Sequence, residues 1–274
     1  MHRIVSIKFF VLSVFFTVMF FPCVTNAEDT GFLWLVNRDN PLCEKFRPND
    51  LVSYRGVELR EPARDAFIEL LAAMEADGIH GLRLQSAYRS HSYQCAILRE
   101  KQRSLIAKGK SPSVAAAIAA KSIQLPGASE HQLGLALDVS INGQLSQSFA
   151  ETPAGIWLAE NCHKFGFIIR YPRAKTDVTD IIYEPWHLRY VSRPHAQIMK
   201  ETALTLEEYH VYLSQISMYL VHEENSYFLV SHTTTAPEPS KHLVAFSTTH
   251  PGEDPSFILT LKKIQLAVYP TLVP

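Results

Sequence analysis

The sequence predicts a chain of mixed helices and strands. Three observations carry this reading. Between Pro62 and Ala76, Ala66, Phe67, Leu70, Leu71 and Met74 return at helical spacing. Leu82 to Ser86, Leu135 to Val139, Phe167 to Arg170 and His187 to Val191 are short runs of strand length and texture, set among helical stretches. Beyond Ser214, β-rich runs separated by Thr, Pro, Glu and Gly replace the helical pattern. Of 274 residues, 47% are apolar and 19% charged, which suits a packed core and excludes a disordered chain, a collagen-like repeat and a polytopic membrane protein. Lys plus Arg number 26 against 27 acids, so no basic excess points to a nucleic-acid partner.

The elements follow in order. Arg3 and Lys8, the apolar run Phe9 to Phe21, Pro22 and the small-residue end at Ala27 read as a secretory signal over residues 1–27. A retained membrane anchor is the other reading, although the run falls short of the ~20 apolar residues that span a bilayer. Residues 28–50 are a lead-in, and the whole stretch to Arg60 reads as irregular chain wrapping the domain. Pro62 suits the first turn of the helix that ends before Gly78. Ser92 to Lys108 and Pro112 to Ile123 read as two more helices, the second rich in alanine, before Pro126-Gly127 breaks the chain. Thr152 to Phe165 is a helix closed by Gly166, Pro172 to Thr179 a polar loop, and Pro194 to Thr202 and Thr205 to Leu213 are helices. In the tail, Tyr227 to Ser231, His242 to Phe246 and Phe257 to Leu261 read as strands.

Removal of the signal would take Cys23 with it and leave Cys43, Cys95 and Cys162. Three is odd, so at most one internal disulfide can form, and the spacing does not select the pair.

Two segments concentrate chemistry. In Ser129-Glu130-His131-Gln132-Leu133-Gly134-Leu135-Ala136-Leu137-Asp138, strand alternation puts Leu135, Leu137 and Val139 on one face and Ala136 and Asp138 on the other. Gly134 permits a bend that carries His131 back over the Asp138 face. A His and an Asp converging there suit zinc; a surface histidine and a strand-end aspartate are the plain alternative. In Glu184-Pro185-Trp186-His187, Pro185 prevents a regular ladder, so Glu184 and His187 lie on a loop entering a strand. A third ligand from this strand leaves one tetrahedral position for water, and a carboxylate beside that water can take its proton. Glu184 is placed for that role, or is an ordinary loop acid. A third segment, Ser86-Ala87-Tyr88-Arg89-Ser90 with Gln94 beyond it, hands a strand over to a helix. Arg89 there either grips a carboxylate or carbonyl or braces the loop.

Together these segments resemble the VanY-type D-alanyl-D-alanine carboxypeptidases, part of a zinc peptidase group with D-Ala-D-Ala dipeptidases, L,D-carboxypeptidases and the hedgehog-like zinc domain. The pattern Ser-x-His-x-x-Gly-x-Ala-x-Asp is met at every fixed position from Ser129 to Asp138, Glu-Pro-Trp-His at Glu184 to His187, and Tyr-Arg-Ser with its later Gln at Tyr88 to Ser90 and Gln94. Further likeness runs through Gly166-Phe167-Ile168, Arg170-Tyr171-Pro172 and Leu204 to Tyr209. The resemblance implies an α+β fold: a small central antiparallel sheet with flanking helices and a zinc cleft, to which the tail adds a small C-terminal β extension. It implies a zinc carboxypeptidase domain over residues 51–213, with the β-rich extension over 214–274. The implied Zn2+ ligands are His131, Asp138 and His187, with Glu184 as general base. Arg89, with Ser129, Gln94, Tyr88 and Trp186, is implied to contact substrate rather than metal. The implied substrate is a peptidoglycan stem peptide losing its C-terminal D-alanine, outside the cytoplasm and with no stable membrane insertion once the signal is cleaved. An L,D-carboxypeptidase on tetrapeptide stems and a non-catalytic wall-binding module are the alternatives. His91 stands where relatives commonly have an aromatic.

Overall fold

The computed structural model describes residues 29–216, 218–223, 226–234, 243–249 and 257–262. The expected signal over 1–27 lies outside these residues, as does His242 of the expected tail strand. No helix among the described residues is long and apolar enough to cross a membrane.

The chain opens with the lead-in and a hairpin of β1 (Leu51–Tyr54) and β2 (Val57–Arg60), then α1 (Glu61–Ala76), β3 (Arg83–Ser86), α2 (His91–Ala107) and α3 (Pro112–Ala119). Next come a 3-10 turn at Glu130–Leu133, β4 (Ala136–Ser140), α4 (Pro153–Asn161), β5 (Phe167–Ile169), α5 (Thr176–Thr179) and β6 (His187–Tyr190). The last elements are α6 (Arg193–Thr202), α7 (Leu206–Gln215), β7 (Tyr219–Glu223), β8 (Ser226–Thr233), β9 (Leu243–Thr248) and β10 (Phe257–Lys262). The central sheet has the antiparallel order β3-β4-β6-β5, and a second antiparallel sheet has the order β7-β8-β10-β9. The fold is α+β.

Two apolar clusters flank the central sheet. One face carries Leu137, Val139, Phe167 and Leu188 into a cluster with Phe67, Leu70 and Met74 of α1 and Trp157 and Leu158 of α4. A second cluster joins Ile168 to α6, α7 and the tail sheet through Ile198, Met199, Tyr209, Leu213, Val221, Val230 and Ile258, with Leu33 and Leu35 of the lead-in. The lead-in is also hydrogen-bonded to the tail: Leu33 N donates to Ser247 Oγ at 3.1 Å and Leu35 N to the Thr249 carbonyl at 3.1 Å. Thr205 caps α7 in a capping box with Glu208.

Several expectations are corrected. The stretch before Arg60 is not wholly irregular, because Arg55 and Gly56 both take positive φ and close the β1–β2 hairpin. The alanine-rich helix stops at Ala119 instead of Ile123. Carbonyls beyond it are taken by tertiary partners: Ile182 N bonds to the Lys121 carbonyl at 3.2 Å and Gln94 Nε2 to the Gln124 carbonyl at 2.8 Å. The helix from Thr152 is α-helical only to Asn161 and tightens to 3-10 through Phe165 before Gly166. The polar loop 172–179 contains α5, closed by Asp180 in the left-handed region. The tail has a fourth strand, β7, that its sequence pattern did not reveal. Cys43, Cys95 and Cys162 are all free thiols, and burial pushes Cys162 up to about 12.

His195 links the tail to the body. Its Nδ1 pairs with the Tyr209 hydroxyl at 2.8 Å and its Nε2 with Thr260 Oγ1 at 2.9 Å. Burial holds this imidazole down to about 3. The unfolded chain, with an ordinary histidine, binds the extra proton between about pH 6.5 and 3, so stability falls as pH drops through that window. Thermal melts at pH 7 and pH 4 should show a smaller acid loss for His195→Gln than for the parent, by up to a few kcal/mol. Parallel losses in both proteins would remove His195 as the linked group.

Candidate metal centre

The strand register builds the site. In the β4–β6 ladder Asp138 stands opposite His187 and Ala136 opposite Arg189. Side chains alternate along a strand, so Asp138 and Ala136 share the face that His187 and Arg189 share on the next strand. Leu137 and Leu188 point the other way, into the core. The methyl of Ala136 leaves room beside the Arg189 side chain.

His131 arrives from the 3-10 turn, every residue of which is buried. Gly134 ends that turn at φ 68°, and its N–H donates to the His131 carbonyl at 3.1 Å. A Cβ at Gly134 would lie 2.8 Å from Leu51 Cδ2 and 3.1 Å from Arg60 Cγ, so both the backbone region and the close approach of β1 and β2 require glycine. Gln132 Nε2 ties the turn to the lead-in, donating to the Cys43 carbonyl at 2.9 Å.

His131, Asp138 and His187 each offer a ligand atom within 4.8 Å of the other two. His131 Nδ1 lies 2.6 Å from the Ala87 carbonyl, which fixes that nitrogen as the protonated one and leaves the Nε2 lone pair facing Asp138 Oδ2 at 3.3 Å. His187 Nδ1 is 3.2 Å from Asp138 Oδ1, and its Nε2 looks back at Glu130 Oε2 at 3.9 Å. Asp138 Oδ1 is buried with no hydrogen-bond partner among the described residues. Two imidazole nitrogens, that of His131 oriented by the Ala87 carbonyl, and a carboxylate oxygen lacking a donor are the donor set of a three-ligand zinc site. The residues fit the ion.

Electrostatics separates the groups. Burial, with Arg89 beside it, lowers His131 to about 4, so the ring is neutral as a ligand must be. Burial also disfavours charge on His187, but Asp138 and Glu130 outweigh it and raise the imidazole to about 9. Acids crowd this spot enough to favour a cation there, whether proton or metal. Burial raises Glu184 to about 7, with Asp138 adding to the rise and His187 and Arg89 opposing it. Its Oε2 sits 3.8 Å from His187 Nδ1.

A cavity of about 360 Å³ opens over the triad, and Arg89, Gln94, Ser129, Glu184 and Trp186 all line it. Arg89, expected to contact substrate, lines the cavity and also meets a metal ligand. Its guanidinium is ion-paired with Asp138, while its Nε donates to Ser86 Oγ at 2.8 Å, because a buried carboxylate demands a counter-charge. Tyr88 does not line the cavity. Its ring lies under the Arg47 guanidinium, 4.9 Å from centroid to Cζ, since neighbouring residues of this extended loop face opposite ways.

Sequence reasoning missed the support beneath the triad. Glu130 is 1% exposed and receives Arg170 Nε at 2.8 Å, with Arg189 Nη1 also 2.8 Å from the same oxygen. Arg170 makes a second, bidentate pair with Glu207 at 2.6 and 2.8 Å. Arg189 Nη2 donates to the Phe32 and Trp34 carbonyls of the lead-in. Burial pushes the Glu130 carboxyl up, but the two guanidiniums and His187 hold it well below the usual carboxylate range. One signal was available: Arg189 lies two residues after His187 in a strand, hence on the same face. Tyr171, its ring centroid 4.9 Å from that of His187, was also missed as a cavity wall.

Comparison with known proteins gives a consistent picture. The family model for VanY, D-alanyl-D-alanine carboxypeptidase, matches residues 56–193. The bifunctional D-Ala-D-Ala dipeptidase and D-Ala-D-Ala carboxypeptidase VanXYC of Enterococcus gallinarum is 36% identical over 194 residues, 67% of this chain and 95% of the relative. Among solved structures, a mutant of the vancomycin resistance D,D-pentapeptidase VanY from a VanB-type cassette, in complex with Zn(II), is similar at 38% identity and TM-score 0.59, covering 65% of this chain and 98% of that one. The D,D-dipeptidase VanXYg, bound to a D-Ala-D-Ala phosphinate analogue, is similar at 25% identity and TM-score 0.71, covering 85% of this chain and 94% of that one.

Replacing Glu130 by Gln leaves buried Arg170 with Glu207 alone and buried Arg189 with no carboxylate among the described residues. Glu130→Gln should lower stability by about 3 to 5 kcal/mol in denaturant titration. A loss below 1 kcal/mol would show that solvent or another group compensates the arginines.

Proposed function

The chain belongs to the VanY family of D-alanyl-D-alanine carboxypeptidases, and from that premise we propose how its own residues perform the reaction. It is a zinc metallopeptidase of the carboxypeptidase type. His131 Nε2, His187 Nδ1 and Asp138 would hold the ion. Zinc bound there supplies Lewis-acid polarisation and a water whose pKa is brought to about 7. Glu184 is the general base: it takes a proton from water attacking the scissile carbonyl and returns it to the leaving amine. The observation that carries this role is a buried carboxyl raised to about 7, next to His187 and free of the ligand set. A base poised near neutral pH accepts a proton readily and gives it up again.

Arg89 balances Asp138 in this structure. With that carboxylate engaged by zinc, the guanidinium is the cation available in the cavity for a substrate's terminal carboxylate, helped by Ser129, while Gln94, its Nε2 held by the Gln124 carbonyl, offers an acceptor to the substrate. Trp186 walls the same space. The substrate is a peptidoglycan stem peptide ending in D-alanine. Residues 51–213 are the catalytic unit, and none of the lead-in or the described tail residues lines the cavity. A basic n-region followed by an apolar run suits export to the compartment where wall peptides lie, periplasmic or secreted.

Mass spectrometry of a pentapeptide stem ending in D-Ala-D-Ala, incubated with zinc-loaded protein, tests the reading: one alanine should be lost. Loss of alanine from a tetrapeptide stem in place of the pentapeptide would assign L,D specificity. Glu184→Gln should keep zinc and lose about 10²- to 10⁴-fold in kcat. Near-parental turnover in that variant would remove Glu184 from the chemistry. For Arg89→Ala, amidating the peptide's C-terminus should harm turnover much less than it harms the parent; equal harm would make Arg89 a brace alone.

A further inference from the structure

Two peptide units of the lead-in each touch two distant parts of the molecule. A trans peptide aims its carbonyl and its N–H in opposite directions. In the unit joining Phe32 to Leu33, the carbonyl accepts from Arg189 Nη2 at 2.9 Å, and the N–H donates to Ser247 Oγ of β9 at 3.1 Å. In the unit joining Trp34 to Leu35, the carbonyl accepts from the same Nη2 at 3.1 Å, and the N–H donates to the Thr249 carbonyl, just past β9, at 3.1 Å. The lead-in is therefore a two-rung bridge from the tail sheet to Arg189.

Both ends of the bridge are fixed. On the tail side Ser247 stands opposite Ile258 in the β9–β10 ladder, and Ile258 is buried in the same apolar cluster as Leu33 and Leu35. Trp34 Nε1 adds a bond to Thr248 Oγ1 at 2.7 Å, and Asp29 Oδ1 receives the Thr248 N–H at 3.2 Å. On the site side Arg189 is fully buried, and its Nη1 lies 2.8 Å from Glu130 Oε1. Each histidine of the triad is one step from that pair. His131 follows Glu130 in the buried 3-10 turn, and His187 shares a strand face with Arg189. No residue of the lead-in or the described tail lines the cavity, so the bridge reaches the site through Arg189 and not through substrate.

Resting on the zinc reading of the triad, we infer that the tail sheet is a clasp on the metal centre. By holding the Phe32–Leu33 and Trp34–Leu35 peptides it positions Arg189, and through Arg189 and Glu130 it sets the affinity of the triad for zinc. Arg189 is a positioning residue, and Ser247 is its remote support. Without the clasp the buried guanidinium keeps its ion pair but loses two neutral acceptors. It then shifts toward other acceptors, and Glu130 moves with it, because neither charge can be left bare at that depth. The turn carrying His131 is displaced in consequence, and the three ligand atoms converge less closely on one point.

The test measures the zinc dissociation constant of the full folded chain by competition with a chelator. Ser247→Ala, which removes the acceptor of the Leu33 N–H, should weaken zinc binding by about tenfold, the low end of what outer supports of metal ligands contribute. Trp34→Phe loses the Nε1 bonds to Thr248 and Asp29 but keeps a ring against Phe46, and should weaken zinc in the same direction. Met74→Ala opens a cavity beneath α1 in the other apolar cluster, lowers stability without touching the bridge, and should keep the parental constant. Parental zinc affinity in folded Ser247→Ala, or an equal weakening in Met74→Ala, would overturn the clasp and leave the zinc reading standing. Where Ser247→Ala does not fold, Trp34→Phe decides in its place. A parent that binds no zinc would overturn that reading and the clasp with it.

Discussion

Glu130 is the constraint on which this structure turns. Two arginines, Arg170 and Arg189, are 1% and 0% exposed, and a guanidinium cannot stay that deep without anionic partners. Glu130 faces both, and Glu207 takes the second fork of Arg170. Each participant comes from a different place: the 3-10 turn, the end of β5, β6 and α7. The remaining donors of Arg189 reach carbonyls of the lead-in. One buried cluster therefore registers five segments against each other. Such clusters contribute little net stability compared with apolar packing, but they tolerate few geometries, because a broken pair leaves a bare buried charge.

The metal triad sits on this frame. His131 follows Glu130 in the chain, and His187 shares a strand face with Arg189. The same carboxylate that neutralises the arginines also faces His187 Nε2, 3.9 Å away. From the opposite side Ala87 O fixes His131. The His131 ligand is thus held from outside the ligand set, as outer acceptors do in metal sites generally.

Three carboxylates near one centre end in different states for identifiable reasons. Asp138 is buried yet kept ionised by the Arg89 guanidinium paired with it, and Glu130 by its arginines. Glu184 is nearly as buried, and His187 and Arg89 do not offset its desolvation, so its carboxyl is raised to about 7. Environments that push like groups apart divide the roles of ligand, scaffold and base.

The sequence by itself determined the alternation that puts Asp138 on one strand face, the bend at Gly134, and the spacing of Glu184 to His187. It also determined most element positions, since helical and strand periodicity are local properties. What it could not determine depends on contacts between distant segments. The end of α3 was decided by Gln94 and Ile182 claiming carbonyls beyond it. Tyr88 was turned out of the cavity and Arg89 onto Asp138, because counter-charge is a matter of neighbours in space. β7 took shape against β8 and the α7 side of the second cluster, although its own residues carry no clear strand signal. The buried arginines were invisible as such, since nothing in a single residue's identity tells whether a carboxylate 40 positions away will stand beside it; only the closed sheet brought Glu130 to Arg170 and Arg189.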